Sequence, residues 1–128
     1  MQKDFDGWNK KKKEANDRID HVLFYEREIW WCILGLNVGF EQDGKHDNFE
    51  RPVLILRKWS KNTFVGLPLT IKIKKGSYFF DLSVNNENSV AILSQARTLD
   101  KRRLLRKMGT FSRARFGELR ESYAKLFL

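Results

Sequence analysis

The chain has 128 residues, and its 25 Lys and Arg against 16 Asp and Glu leave a formal charge of +9. A hydrophobic share of 41% with 13% aromatics can build a packed core, which excludes wholesale disorder, and the length suits one compact domain. No apolar run reaches the ~18–20 residues of a membrane helix, the N-terminus has no apolar export signal, and the single Cys32 excludes a disulfide framework or a Cys-rich zinc site. A cytosolic protein with a polyanionic partner is expected.

In chain order, apolar residues at Trp8, Ala15, Ile19, Val22 and Leu23 predict a helix over 8–24, with the Lys10–Lys13 run facing water. Five strands follow between residues 28 and 95, spaced for antiparallel pairing: IWWCILGL, PVLILRKW with Pro52 at its first position, TFVGLPLT, SYFFDL and SVAILSQ. A long polar loop, Gly39–Glu50, separates the first two, IKIKKG links the third to the fourth, and NNEN turns the fourth into the fifth. LDKRRLLRK reads as one or two helical turns and KMGTF as a short strand. Ser112 caps a final helix with the face Phe116, Leu119, Tyr123, Leu126 and Phe127. The expected architecture is mainly β with helices, a small twisted antiparallel barrel with a helix at each end. The basic charge is concentrated late: residues 95–128 hold ten basic and three acidic groups, the footprint of a phosphate-backbone binder or of a solvated basic face.

Gly39–Lys45 matches the first part of a phosphate-binding loop, but His46 stands where Ser or Thr is needed for magnesium, and no strand–loop–helix unit follows. Two histidines, His21 and His46, and one cysteine supply little material for a metal site, so no metal or cofactor is expected. Cys32, among Trp30, Trp31 and Ile33, suits a buried thiol.

Polar groups at strand ends remain: Glu41 and Gln42 in the loop, Arg51 after it, and Thr70 closing the third strand. Arg and Thr suit phosphoryl chemistry, because a fixed guanidinium holds two phosphate oxygens and a hydroxyl donates a third hydrogen bond. If RNA supplies its own 2′-OH as nucleophile, the protein mainly needs oriented charge at phosphorus. Alternatively, Arg51 anchors the loop through Glu41 or Glu50 and Thr70 merely ends a strand. Spacing does not separate the two.

An ordered set of segments resembles the MazF/PemK (Kid-like) toxins of type II toxin–antitoxin systems: Arg27–Trp31, Gly35, Gly39–Gly44, Arg51–Leu56, Leu67–Thr70, Ser94–Leu99 and Lys107–Phe111. The resemblance implies an SH3-like barrel over 27–128, with residues 1–26 as a helical extension. It implies a homodimeric endoribonuclease that cleaves single-stranded RNA without metal, leaving 2′,3′-cyclic phosphate and 5′-OH ends. It also implies a cognate antitoxin with an acidic disordered tail, and DNA binding by the toxin–antitoxin complex. By motif, Arg51 resembles the principal catalytic arginine, Thr70 its partner hydroxyl and Glu41 an acidic loop position. Gln95 and Arg97 match a pair near the groove, and Gln42, Lys45, His46, Lys72, Lys74 and Lys75 complete the expected RNA contacts.

The chain departs from members that place His at position 40 and Asp at position 94, where it has Phe40 and Ser94. The general base therefore stays open between Glu41 and His46. The acidic loop, with Glu41, Asp43, Asp47 and Glu50, is expected to be mobile and to order on RNA. Two rival readings are a non-catalytic RNA-binding module and a gyrase poison acting through aromatic residues such as Tyr123 and Phe127.

Overall fold

The computed structural model describes residues 3–17, 22–35 and 49–128. Helix α1 (Phe5–Asp17) precedes seven strands: β1 (Glu28–Ile33), β2 (Glu50–Lys58), β3 (Thr63–Thr70), β4 (Phe79–Val84), β5 (Glu87–Ile92), β6 (Arg97–Asp100) and β7 (Leu104–Thr110). Helix α2 (Arg113–Lys125) follows, and single 3₁₀ turns lie at Leu93–Gln95 and Lys101–Arg103. The strands form one antiparallel sheet in the order β4-β5-β3-β2-β1-β7, with β6 pairing to β3. Register shifts within the β1–β7 and β2–β3 pairs let it curl into a half-barrel.

Both faces of the central strands are covered, which explains why VLIL is a continuous apolar run rather than an alternating one. Leu54 and Leu56 join Ile29, Leu67, Leu69 and the α2 residues Phe116 and Leu119 on one side. Val53 and Ile55 join Trp30, Cys32, Phe64, Leu99 and Leu104 on the other. The buried carboxylate of Glu28 is satisfied by Tyr25 N–H at 2.8 Å, Trp30 Nε1–H at 3.1 Å and Lys107 Nζ at 3.0 Å.

Local chemistry sets several boundaries. Asn85 and Asn86, both at positive φ (51° and 64°), make the two-residue link between β4 and β5, the left-handed pair that a tight hairpin demands. Ser112 Oγ accepts from Arg115 N at 3.2 Å and starts α2. The expected mainly-β fold with a helix at each end is what forms, and all five expected strands are present as β1–β5.

The details differ in four places. The first helix differs from the expected 8–24: it is described over Phe5–Asp17, residues 22–24 are not helical, Leu23 is exposed, and Ile19 lies outside the described residues. Strand β2 begins at Glu50, so Pro52 is inside it, opposite Trp31 of β1. The LDKRRLLRK stretch is no helix. Its ends join β6 and β7, and only Lys101–Arg103 make a 3₁₀ turn, capped by Asp100. Pairing of Leu99 with Phe64 and of Leu104 with Cys32 buries both leucines, which a helix there would not do. Finally, Phe127 stacks on Tyr123 at 5.3 Å but is exposed, so the buried face of α2 stops short of it.

Candidate active site

Arg51 is the second residue of β2 and Thr70 the last of β3. The β2–β3 register pairs Val53 with Pro68, and extending it by two residues sets Arg51 alongside Thr70. Both are buried polar residues, 4% and 6% exposed, and among the described residues only Glu28 joins them in a core that is otherwise apolar. Arg51 Nη1 donates to the carbonyl of Leu69 at 3.0 Å. That bond ties the guanidinium to the strand that presents Thr70. Thr70 Oγ1 accepts from the backbone N–H of Lys72 at 3.2 Å, which leaves its own hydroxyl proton to donate elsewhere.

Both residues line a cavity of about 300 Å³. Trp31, Pro52, Ile71, Val84 and Met108 make its apolar walls, and Glu50, Glu87 and Ser89 its other polar groups. Glu50 pairs with Arg106 Nη1 at 3.2 Å, so its carboxylate is engaged by β7. Sequence reasoning missed Glu87 and Ser89, which reach the cavity because β5 lies beside β3. No signal in the sequence marks them. A cavity of this size, mostly apolar with a few convergent polar groups, is the form small-ligand and catalytic sites take.

The other expected residues are spread around this centre. Lys72, Lys74 and Lys75 lie on the exposed segment between β3 and β4, whose Ile71 wall is shared with the cavity. Gln95 ends a 3₁₀ turn, half-buried. Arg97 opens β6 opposite Gly66 of β3. Glu41, Gln42, Lys45 and His46, with the partial phosphate-loop match and the rest of the 36–48 segment, lie outside the described residues.

Cys32 reports on the charge behind the site. It is the cross-strand partner of Arg51 and wholly buried. Burial pushes its thiol up to about 12, against the opposing pull of the Arg103 and Arg97 charges. The charges of Arg103 and Arg97 are thus felt at a buried thiol whose cross-strand partner is Arg51. Among the described residues, no three His, Cys, Asp or Glu side chains come together as a metal site, and no helix is long and apolar enough to cross a membrane.

A guanidinium near a hydroxyl group is a combination able to hold an anion such as phosphate, and residues 25–127 match the model of the PemK-like, MazF-like toxins of type II toxin-antitoxin systems. The chain belongs to this toxin family. Among curated proteins, none matches it in sequence. Solved structures are similar in fold. MazF from Deinococcus radiodurans superposes with a TM-score of 0.66 at 18% identity, covering 83% of this chain and 97% of that one. A mycobacterial endoribonuclease in complex with its cognate antitoxin gives 0.62 at 14% identity, over 82% and 95% of the two chains. MazF from the D. radiodurans MazE–MazF complex gives 0.61 at 18%, over 84% and 97%. At such identities the likeness is one of fold, and the expected MazF-like barrel is the fold observed. Helix α1 lies N-terminal to the family match.

Proposed function

We propose that this PemK/MazF-family toxin is an endoribonuclease that cleaves single-stranded RNA by attack of the 2′-OH on the adjacent phosphorus, with no metal ion. The observation that carries the reading is that Arg51 and Thr70, at the ends of neighbouring strands and tied by the Arg51–Leu69 hydrogen bond, line one cavity in a chain of this family. Arg51 holds the non-bridging phosphate oxygens and meets the charge that grows on them as phosphorus becomes five-coordinate. The Thr70 hydroxyl donates to the same group. The 2′-O to phosphorus bond forms as the 2′-OH gives up its proton, the phosphorus to 5′-O bond breaks, and the departing 5′-O takes a proton from solvent water, so the products are a 2′,3′-cyclic phosphate and a 5′-OH. Proton removal from the 2′-OH is assigned to Glu41, with His46 the second choice. The apolar walls at Trp31 and Met108 give bases a surface to stack on.

Lys72, Lys74, Lys75, Gln95 and Arg97 then follow the RNA on either side of the cut. The toxin works as a cytoplasmic homodimer, and its cognate antitoxin covers the basic surface with an acidic tail. The similar mycobacterial endoribonuclease and the D. radiodurans MazF, each solved with an antitoxin, support this partner.

The test is cleavage of a long single-stranded RNA in EDTA by the wild-type chain and by Arg51→Ala, with the new ends analysed. Cyclic phosphate and 5′-OH ends that disappear in the variant are expected. RNA binding without cleavage would reduce the protein to a binding module, and cleavage that persists in the variant would remove Arg51 from the mechanism.

A further inference from the structure

Helix α1 is amphipathic in an unusual way. Trp8 and Ala15, one heptad apart, are buried against Ile33 and Phe49 at the neighbouring ends of β1 and β2. The adjoining stripe, at the i, i+3, i+4 and i+7 positions, is Asn9, Lys12, Lys13 and Asn16. These four residues and Arg103 line a cleft of about 650 Å³, and none of the five is acidic. Among the described side chains of the N-terminal segment, the acidic Asp4, Asp6 and Glu14 are absent from its walls. Two lysines and two amides facing one arginine form a surface rich in hydrogen-bond donors.

Arg103 is held in place as a cation. Its Nη1 donates to Ile33 O at 3.0 Å, and its guanidinium lies over the Trp8 ring at 5.7 Å. Burial, then the charge of Arg97, disfavours its charged form, so an anion in the cleft would relieve both. The neighbouring Arg102 is already committed: it grips the Asp100 carboxylate at 3.0 and 3.1 Å and donates to Asn16 O at 3.0 Å. The cleft also continues the site. Arg103 and Arg97 both act on Cys32, the cross-strand partner of Arg51, so basic side chains link the neighbourhood of the Arg51 cavity to the α1 cleft.

We infer that the cleft between α1 and Arg103 binds the phosphodiester backbone of single-stranded RNA outside the cleaved position, with Lys12 and Lys13 as the phosphate contacts. The inference rests on the reading of RNA as substrate. It gives α1, which lies outside the family match, a role in holding substrate rather than in chemistry.

The experiment measures how binding of a mixed-sequence 2′-O-methyl RNA of about fifteen nucleotides, long enough to cross such a surface, depends on salt. The full wild-type chain is compared with the double variants Lys12→Ala/Lys13→Ala and Lys12→Arg/Lys13→Arg. Alanine favours the helix, so the first double variant keeps α1 folded. The slope of log affinity against log salt should fall by about 1.4, two phosphate contacts at ~0.7 each, and the arginine pair should restore it. Turnover of a substrate just long enough to fill the Arg51 cavity should be unchanged.

An unchanged slope in the alanine variant, with RNA still bound and cut, overturns the inference alone. Loss of polyglutamate binding with the RNA slope intact assigns the cleft to an acidic polypeptide and also overturns it. A wild-type chain that binds no RNA overturns it together with the ribonuclease reading. Binding with the expected slope change but no cleavage overturns only the ribonuclease reading.

Discussion

Arg51 donates to the carbonyl of Leu69, the residue immediately before Thr70, so one hydrogen bond joins the two strand ends that carry the proposed phosphate contacts. The guanidinium is both a structural clasp between β2 and β3 and the cation of the site. The two roles separate by experiment. Arg51→Ala should lower the cleavage rate by roughly 10²–10³, as loss of one oxyanion-stabilising donor does. Leaving the Leu69 carbonyl unpaired should also lower stability by about 1–3 kcal/mol. Arg51→Lys should recover more stability than rate, since an ammonium supplies charge but no planar fork. Urea denaturation and single-turnover cleavage of the two variants check this.

Thr70 offers a hydroxyl whose oxygen already accepts from Lys72 N–H. Thr70→Ser keeps that hydroxyl and should cleave at close to the wild-type rate. Thr70→Ala should lose roughly ten- to a hundredfold, the worth of one hydrogen bond to a charged group. Equal rates for the two variants would remove the hydroxyl from the mechanism.

Gly35, at φ +80°, sits against the Trp8 indole so closely that any Cβ would overlap the ring. Gly35→Ala should therefore undock α1 and add about 1–2 kcal/mol of left-handed backbone strain. Trp8→Ala should undock the same helix without touching the backbone. Hydrogen exchange should show loss of protection over 5–17 in both variants while β2 and β3 keep theirs. Retained protection in α1 would show that Trp8 is not its anchor.

The Cys32 thiol, raised to about 12, stays neutral and buried in the folded chain at neutral pH. Its labelling by a thiol reagent should be slow and should track unfolding. The sign of the pH effect follows from the direction of the shift. Above the ordinary thiol value of 9.0 the unfolded chain releases this proton and the folded chain keeps it, so stability falls as pH rises from there toward 12. Cys32→Ala should lack that alkaline component, and denaturant titrations of both proteins between neutral and alkaline pH test it.

Asp100 works in the opposite direction. Its hydrogen bonds with Arg102 hold the carboxyl below its usual value of 3.8. Wild type should exceed Asp100→Ala in stability by about 0.5–1 kcal/mol near neutral pH, the worth of a cap and a partly exposed ion pair. The carboxylate is fully ionised in both states there. The difference should shrink as pH falls through the folded value, where protonation removes the acceptor. An acid-independent difference would assign the loss to packing.

Much of this was legible in the linear chain because its causes are local. TFVGLPLT is bounded by turn residues and forms β3 over those same eight positions. The Asn pair sets the β4–β5 hairpin, and Ser112 caps α2. Arg51 and Thr70 stood out as polar groups at strand ends. KMGTF was read as a strand and lies largely in β7, but the preceding stretch 99–106 was not legible, because its leucines and basic residues suit a helix by spacing. Two leucines instead find their burial by pairing with β3 and β1, partners dozens of residues away.

By itself, then, the sequence determined the supply of strands, their turns, the late concentration of positive charge and the segments that mark the toxin family. Tertiary structure alone decided that Arg51 and Thr70 share a cavity, that Glu87 and Ser89 join them from β5, and that α1 turns its Asn–Lys stripe toward Arg103. The reason is physical. Turns and caps are satisfied by neighbours in the chain, whereas these groupings depend on long-range antiparallel register and on which face of each strand the core claims.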